Sequence, residues 1–126
     1  MKPNKSIDIE SMYDYHFDVF GIRVKDDYEY KESVELEEGI ILDFDKNDVP
    51  VALEILDASK IFDVPDKQYL SNRGPVRMSI CITDELISLE VEVKVVIHNS
   101  RDIKTMDSSA INNIHAPAMK KDLASV

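Results

Sequence analysis

Ile87-Ser88-Leu89-Glu90-Val91-Glu92-Val93-Lys94-Val95-Val96-Ile97-His98 is the stretch that decides the fold. Ile87, Leu89, Val91, Val93, Val95 and Ile97 hold every second position, opposite Ser88, Glu90, Glu92, Lys94, Val96 and His98. Side chains alternate across a β-strand, so this pattern buries one face and wets the other. A helix would need apolar residues three and four apart. At about 3.4 Å per residue, Leu86–His98 would run roughly 40 Å, longer than most strands. Such a strand bends at a bulge or extends beyond one sheet to pair with another subunit.

Working outward, Thr83-Asp84-Glu85 is a turn, and before it Met78, Ile80 and Ile82 alternate with Arg77, Ser79 and Cys81. After Asn99 the periodicity weakens, and the tail reads as partly loose, with Ile103-Lys104-Thr105-Met106 as a candidate edge strand. Between Val64-Pro65 and Gly74-Pro75 the pattern lapses into prolines, a glycine and polar residues, the composition of a linker or surface loop. The first half alternates again. Phe20, Ile22 and Val24 share one face, then Tyr28, Tyr30 and Val34, then Ile40, Leu42 and Phe44 after Gly39, then Val51, Leu53 and Ile55. Short connections between such strands favour antiparallel pairing. Asp57-Ala58-Ser59-Lys60 starts one short helix, with Asp57 available as its N-cap.

The expected architecture is mainly β (α+β at most): an antiparallel β-meander with one short helix and a C-terminal long-stranded hairpin. Three segments follow: an acidic meander with its helix over 1–62, a linker over 63–75, and a hairpin extension with a loose tail over 76–126, packed on the first module.

Three runs carry a resemblance. They are Tyr13-Asp14 with Asp18 and the strand to Ile22-Arg23, Glu38-Gly39-Ile40-Ile41-Leu42-Asp43-Phe44-Asp45, and Glu54-Ile55-Leu56-Asp57-Ala58-Ser59. In order and spacing, residues 12–62 resemble the prokaryotic domain-of-unknown-function family 2283. The resemblance implies a compact β-rich module and brings no established activity.

Composition narrows the possibilities. The chain of 126 residues has room for one domain, or one with an extension. Its N-terminus leads into Asp8 and Glu10 rather than an apolar run, unlike a secretory leader. No stretch approaches the ~18 apolar residues of a membrane span. Cys81 is the single cysteine. These features together point to the cytoplasm. The net charge is −10, of which residues 1–62 hold −9. Such acidity repels phosphate backbones, so nucleic acid is not an expected partner, and it attracts basic proteins.

The sharpest chemical candidate is Asp43, Asp45, Asn47 and Glu54, whose oxygens repeat the spacing of an EF-hand calcium loop. Against it, Asp48 stands where the loop needs glycine and is expected to resist the φ required there. Pro50 occupies the eighth position, and the flanks alternate like strands. A polar hairpin turn explains the same residues. His16, His98 and His115 are far apart and form no ligand motif, and Cys81 has no neighbouring base in sequence. Three glycines leave little room for a phosphate cradle. Glu37-Glu38 and Asp43/Asp45 are paired carboxylates without a predicted apolar pocket to separate their pKa values. Tyr13, Tyr15, Tyr28 and Tyr30 suit cross-strand packing or an interaction surface better than base stacking.

The reading is therefore a non-catalytic protein-interaction or assembly module without a cofactor. Tyr13, Tyr15, Tyr28, Tyr30, Glu37 and Glu38 form its presenting surface, and Leu86–His98 supports a homo-oligomer or pairing with another chain. The alternatives are an antitoxin-like inhibitor of a basic partner and a weak calcium binder.

Overall fold

The computed structural model describes residues 8–125. Their order is β1 (Ile9–Asp14), β2 (Val19–Val24), β3 (Tyr30–Glu37), β4 (Ile40–Asp45), β5 (Pro50–Ile55), α1 (Ala58–Ile61), α2 (Gln68–Ser71), β6 (Val76–Ile82), β7 (Leu86–Ile97), β8 (Ser100–Ile111) and β9 (Met119–Ala124). One sheet runs β1-β2-β5-β4-β3 and the other β8-β7-β6-β9. Every pairing is antiparallel. The fold is mainly β, as the alternation requires.

Only β3-β4-β5 forms the meander proper. Residues 25–29 carry the chain from β2 to the far edge, and β5 returns to pair with β2. That return is a Greek-key arrangement. Gly39, at φ 81, provides the left-handed residue in the tight β3–β4 turn.

The inward faces of both sheets supply one hydrophobic core. Phe20, Leu42, Phe44 and Ile55 from the first sheet share it with Val76, Ile80, Ile87 and Val91 from the second. Burying each such side chain is worth about 1.5–3 kcal/mol. Phe62 and Leu70 close the core from the connection between the sheets, and the rings of Phe20 and Phe62 meet edge-on at 5.5 Å. Residues 63–75, expected as a loop or linker, thus carry the short helix α2 and bury Leu70. The sheets also touch at both margins. Asp8 N donates to Ala124 O at 2.8 Å, and Ser108 Oγ donates to Glu37 Oε1 at 2.6 Å.

β7 is as long as its alternation demands, and β8 pairs with it in unbroken register from Leu86↔Ile111 to Ile97↔Ser100. His98 and Asn99 join the strands with φ 51 and 65, the two left-handed residues of a type I′ turn. Ile103–Met106, expected as an edge strand, lies in β8 at the edge of its sheet. Three expectations are corrected: β7 has no bulge, the tail after Asn99 is ordered as a strand over the whole of 100–111, and residues 119–124 form β9. The pairing with β8 also makes β7 an interior strand of its sheet. β8 covers one side, while β6 covers Ile87–Val93 on the other and Gly74 and Pro75 bond to Lys94 beyond it. The signal for β8 was weak because its inward positions mix Met106 with Ser108, Lys104 and Asp102. Inward charges near an edge also oppose the addition of a further strand.

Candidate functional site

The β1–β2 turn, Tyr15-His16-Phe17-Asp18, is held from below by its last residue. Asp18 is buried and left-handed at φ 57, a conformation aspartate tolerates better than most residues. Its Oδ1 accepts the Tyr13 hydroxyl at 2.6 Å and Ser59 N at 2.9 Å, and its Oδ2 accepts Ser59 Oγ at 2.7 Å. Its carbonyl accepts Ala58 N at 3.0 Å. Asp18 therefore caps α1 from 41 residues away. Asp57, read from sequence as the cap, sits at that position without a side-chain cap bond.

The electrostatics follow from this geometry. Burial favours the neutral acid of Asp18, but hydrogen bonds from Tyr13 and Ser59 and the nearby Lys67 cation outweigh it, so its pKa lies below the ordinary aspartate value. Burial, and then the bond and charge of Asp18, push the Tyr13 phenol above the ordinary tyrosine value. The pair is a neutral phenol donating to a carboxylate.

Above this clasp the turn projects aromatic rings. Phe17 is 71% exposed and Tyr15 51%. The rings of His16 and Phe17 pack edge-on at 4.7 Å, Asp14 Oδ1 accepts Phe17 N at 3.0 Å, and Lys67 Nζ lies 5.5 Å over the Tyr15 ring. Exposed Leu56 belongs to the same end of the sheet, because Leu56 N bonds to Gly39 O and Phe20 pairs with Ile55. Glu38, in the β3–β4 turn, stands there too. The result is an aromatic knob with the Lys67 ammonium over one ring and the Asp14 carboxylate at its base.

The residues singled out from sequence do not form one surface. Tyr13 serves the clasp and Tyr15 the knob. Glu37 accepts the Ser108 bond at the sheet margin, and Glu38, in the turn, has no side-chain hydrogen bond among the described residues. Tyr28 and Tyr30 stand at the opposite end, where Tyr30 pairs with Asp45 and its hydroxyl shares a hydrogen with Ser33 Oγ at 2.8 Å. Sequence reading missed Phe17, the most exposed large apolar side chain of the described residues. Its signal was an aromatic in a polar turn, out of phase with β1 and β2.

Asp43, Asp45, Asn47 and Glu54 are not gathered into a ring. Asp43 Oδ1 accepts Ser33 Oγ at 2.6 Å, and Asp45 Oδ1 turns into its own loop to accept Asn47 N at 2.8 Å and Val49 N at 3.0 Å. Glu54 is exposed on β5, opposite Ile41. Asp48 adopts φ 62 and accepts Lys31 Nζ at 2.6 Å, which corrects the expectation that it would resist that backbone. Among the described residues, no three His, Cys, Asp or Glu side chains cluster to hold a metal ion.

A family model described as "Protein of unknown function (DUF2283)" matches residues 12–59. A Methanosarcina mazei protein bearing the name "Putative hypoxanthine phosphoribosyltransferase" is 34% identical over 110 residues, covering 83% of this chain and 85% of that protein. The chain belongs to the DUF2283 family. An uncharacterized protein of Methanocaldococcus jannaschii is 31% identical over 102 residues, covering 81% of this chain and 86% of its own. No solved structure matches. The similarity to these relatives extends beyond the DUF2283 segment into the second sheet. Within that segment, the Tyr13, Asp18 and Ser59 positions that carried the resemblance converge on one clasp. No helix among the described residues is long and apolar enough to cross a membrane.

Proposed function

We propose that this DUF2283 chain is a non-catalytic protein-interaction module whose knob, Tyr15-His16-Phe17, docks on a partner. The supporting observation is an exposed aromatic pair on a turn whose root is fully hydrogen-bonded. Exposed rings on a rigid support lose little conformational freedom on binding, which is how interface anchors work. Glu38 and the acidic first half favour a partner that is basic around an apolar pocket.

The name of the Methanosarcina relative raises phosphoribosyl transfer as a competing activity. That chemistry calls for a backbone cradle of phosphates, commonly a glycine-rich turn into a helix. The three glycines of this chain stand in β2, in the β3–β4 turn and before β6. The knob is the better-supported site.

The test is affinity capture from native lysate at low and moderate salt, with wild type and Phe17→Ala side by side. One stoichiometric basic protein, lost with Phe17→Ala and weakened by salt, is the expected result. Equal capture by both forms, or capture of nothing, overturns the proposal.

A further inference from the structure

Where the margin of β1 meets α2 and the end of β9, a mostly polar pocket of about 370 Å³ is walled by Glu10, Ser11, Lys25, Ser71, Arg73 and Ser125, among others. Its central group is Arg73. The guanidinium is half-buried, with its carbon 5.1 Å over the Phe20 ring. Nε donates to Ser11 Oγ at 2.8 Å, Nη2 to Ser11 O at 2.9 Å and Nη1 to Leu70 O at 3.0 Å. These bonds strap α2 to β1. All three acceptors are neutral, and a guanidinium has five N–H groups, so two remain.

Few cations of this acidic chain are paired. Arg23, Lys31, Lys46 and Lys104 each have a carboxylate within 4.0 Å. Nine of the thirteen described Lys and Arg side chains have none, Arg73 and Lys25 among them, but most of those stand in water whereas the Arg73 guanidinium is half-buried. Glu10, the acid on the wall, is turned to Arg23 at 2.7 Å. A cation withdrawn from water without a counter-charge is costly, and an arriving anion would recover that cost.

The hydroxyls point the same way. Ser11 Oγ accepts from Arg73 and Ser125 Oγ accepts from Val76 N at 3.0 Å, so each spends a lone pair and keeps its proton to donate. Ser71 Oγ has no side-chain hydrogen bond among the described residues. Two guanidinium N–H groups, an ammonium and three hydroxyl protons exceed what a planar carboxylate can accept in one place. A tetrahedral oxyanion has three or four oxygens for them.

We propose that this pocket binds the phosphate group of a phosphorylated ligand, with Arg73 and Lys25 as its cationic partners. The site is separate from the knob, and its test does not depend on the proposed function. Inorganic phosphate is titrated into the full chain at constant ionic strength and followed by amide NMR. Saturable shifts are expected at Ser11, Ser71, Gly74 and Ser125 and at the Arg73 Nε–H, with no saturable response to acetate. Lys25→Gln removes an exposed charge without touching the strap and is expected to weaken binding about tenfold, the loss of one charged hydrogen bond. Arg73→Gln is expected to abolish binding in whatever fraction remains folded. No saturation at tens of millimolar phosphate, equal binding of acetate, or unchanged affinity in Lys25→Gln each overturns the proposal.

Discussion

The Tyr13 hydroxyl donates to Asp18 Oδ1 at 2.6 Å, and through that carboxylate β1 is fastened to the first turn of α1. Truncating either partner tests how much the clasp holds. Tyr13→Phe keeps the ring against Phe20 and deletes one hydrogen bond to a charged group, so a loss of about 1.5 kcal/mol is expected. Asp18→Ala strands Ser59 N–H and Oγ and puts alanine in a left-handed conformation, and should cost about 3 kcal/mol or more. Urea unfolding measures both. Near-equal losses would mean that the phenol is the only bond of consequence.

The same pair fixes a pH dependence at each end of the scale. The folded pKa of Asp18 is depressed, so its contribution is present above the ordinary value of 3.8 and is lost as pH falls toward the folded value. The folded pKa of Tyr13 is raised, so its contribution is present below 10.0 and is lost as pH climbs past it. Stability should fall below about pH 4 and above about pH 10. Denaturant midpoints measured across pH should show a shallower alkaline limb in Tyr13→Phe. An unchanged limb would assign the alkaline loss to other groups.

These dependences show what was legible in the sequence. Tyr13, Asp18 and Ser59 stood out in the runs that marked the family, but 41 residues separate the last two and only the return of β5 beside β2 brings them together. Local reading therefore chose Asp57 as the cap, because capping rules see only neighbours in the chain. β7 was plain because its inward positions are aliphatic throughout. β8 was obscured because pairing with so regular a strand supplies most of its order, which frees its inward positions to carry Asp102, Lys104 and Ser108. The phosphate pocket was invisible, since its walls come from four separate stretches and its signal is a half-buried guanidinium held only by neutral acceptors.

Asn112 is a second clasp. It is buried, its Nδ2 donates to Thr83 O at 2.9 Å and Ala116 O at 3.0 Å, and its Oδ1 accepts Ala116 N at 3.0 Å. It holds the start of the β8–β9 connection against the β6–β7 turn, substituting for backbone pairing. Asn112→Ala should cost about 3 kcal/mol, because it leaves buried backbone groups without partners. Hydrogen exchange should show lost protection first at Ala116. A loss below about 1 kcal/mol would mean that water replaces the amide.

The type I′ turn offers a gain instead of a loss. His98 and Asn99 both stand at positive φ, where a side chain larger than Asn or Asp is penalised by about 1 kcal/mol, and Asn-Gly is the preferred pair. The double substitution His98→Asn with Asn99→Gly relieves that strain. It gives up the edge-on contact between Tyr69 and His98, whose centroids lie 6.4 Å apart, worth about 0.5 kcal/mol. The balance favours the variant by about 0.5–1 kcal/mol, read as a higher urea midpoint at unchanged m-value. Asn99→Gly alone separates the two effects, since it changes the turn backbone and leaves the Tyr69–His98 contact in place. If the double variant is less stable than wild type, the Tyr69 contact outweighs the strain, and the tip of the hairpin depends on α2 more than on its own turn.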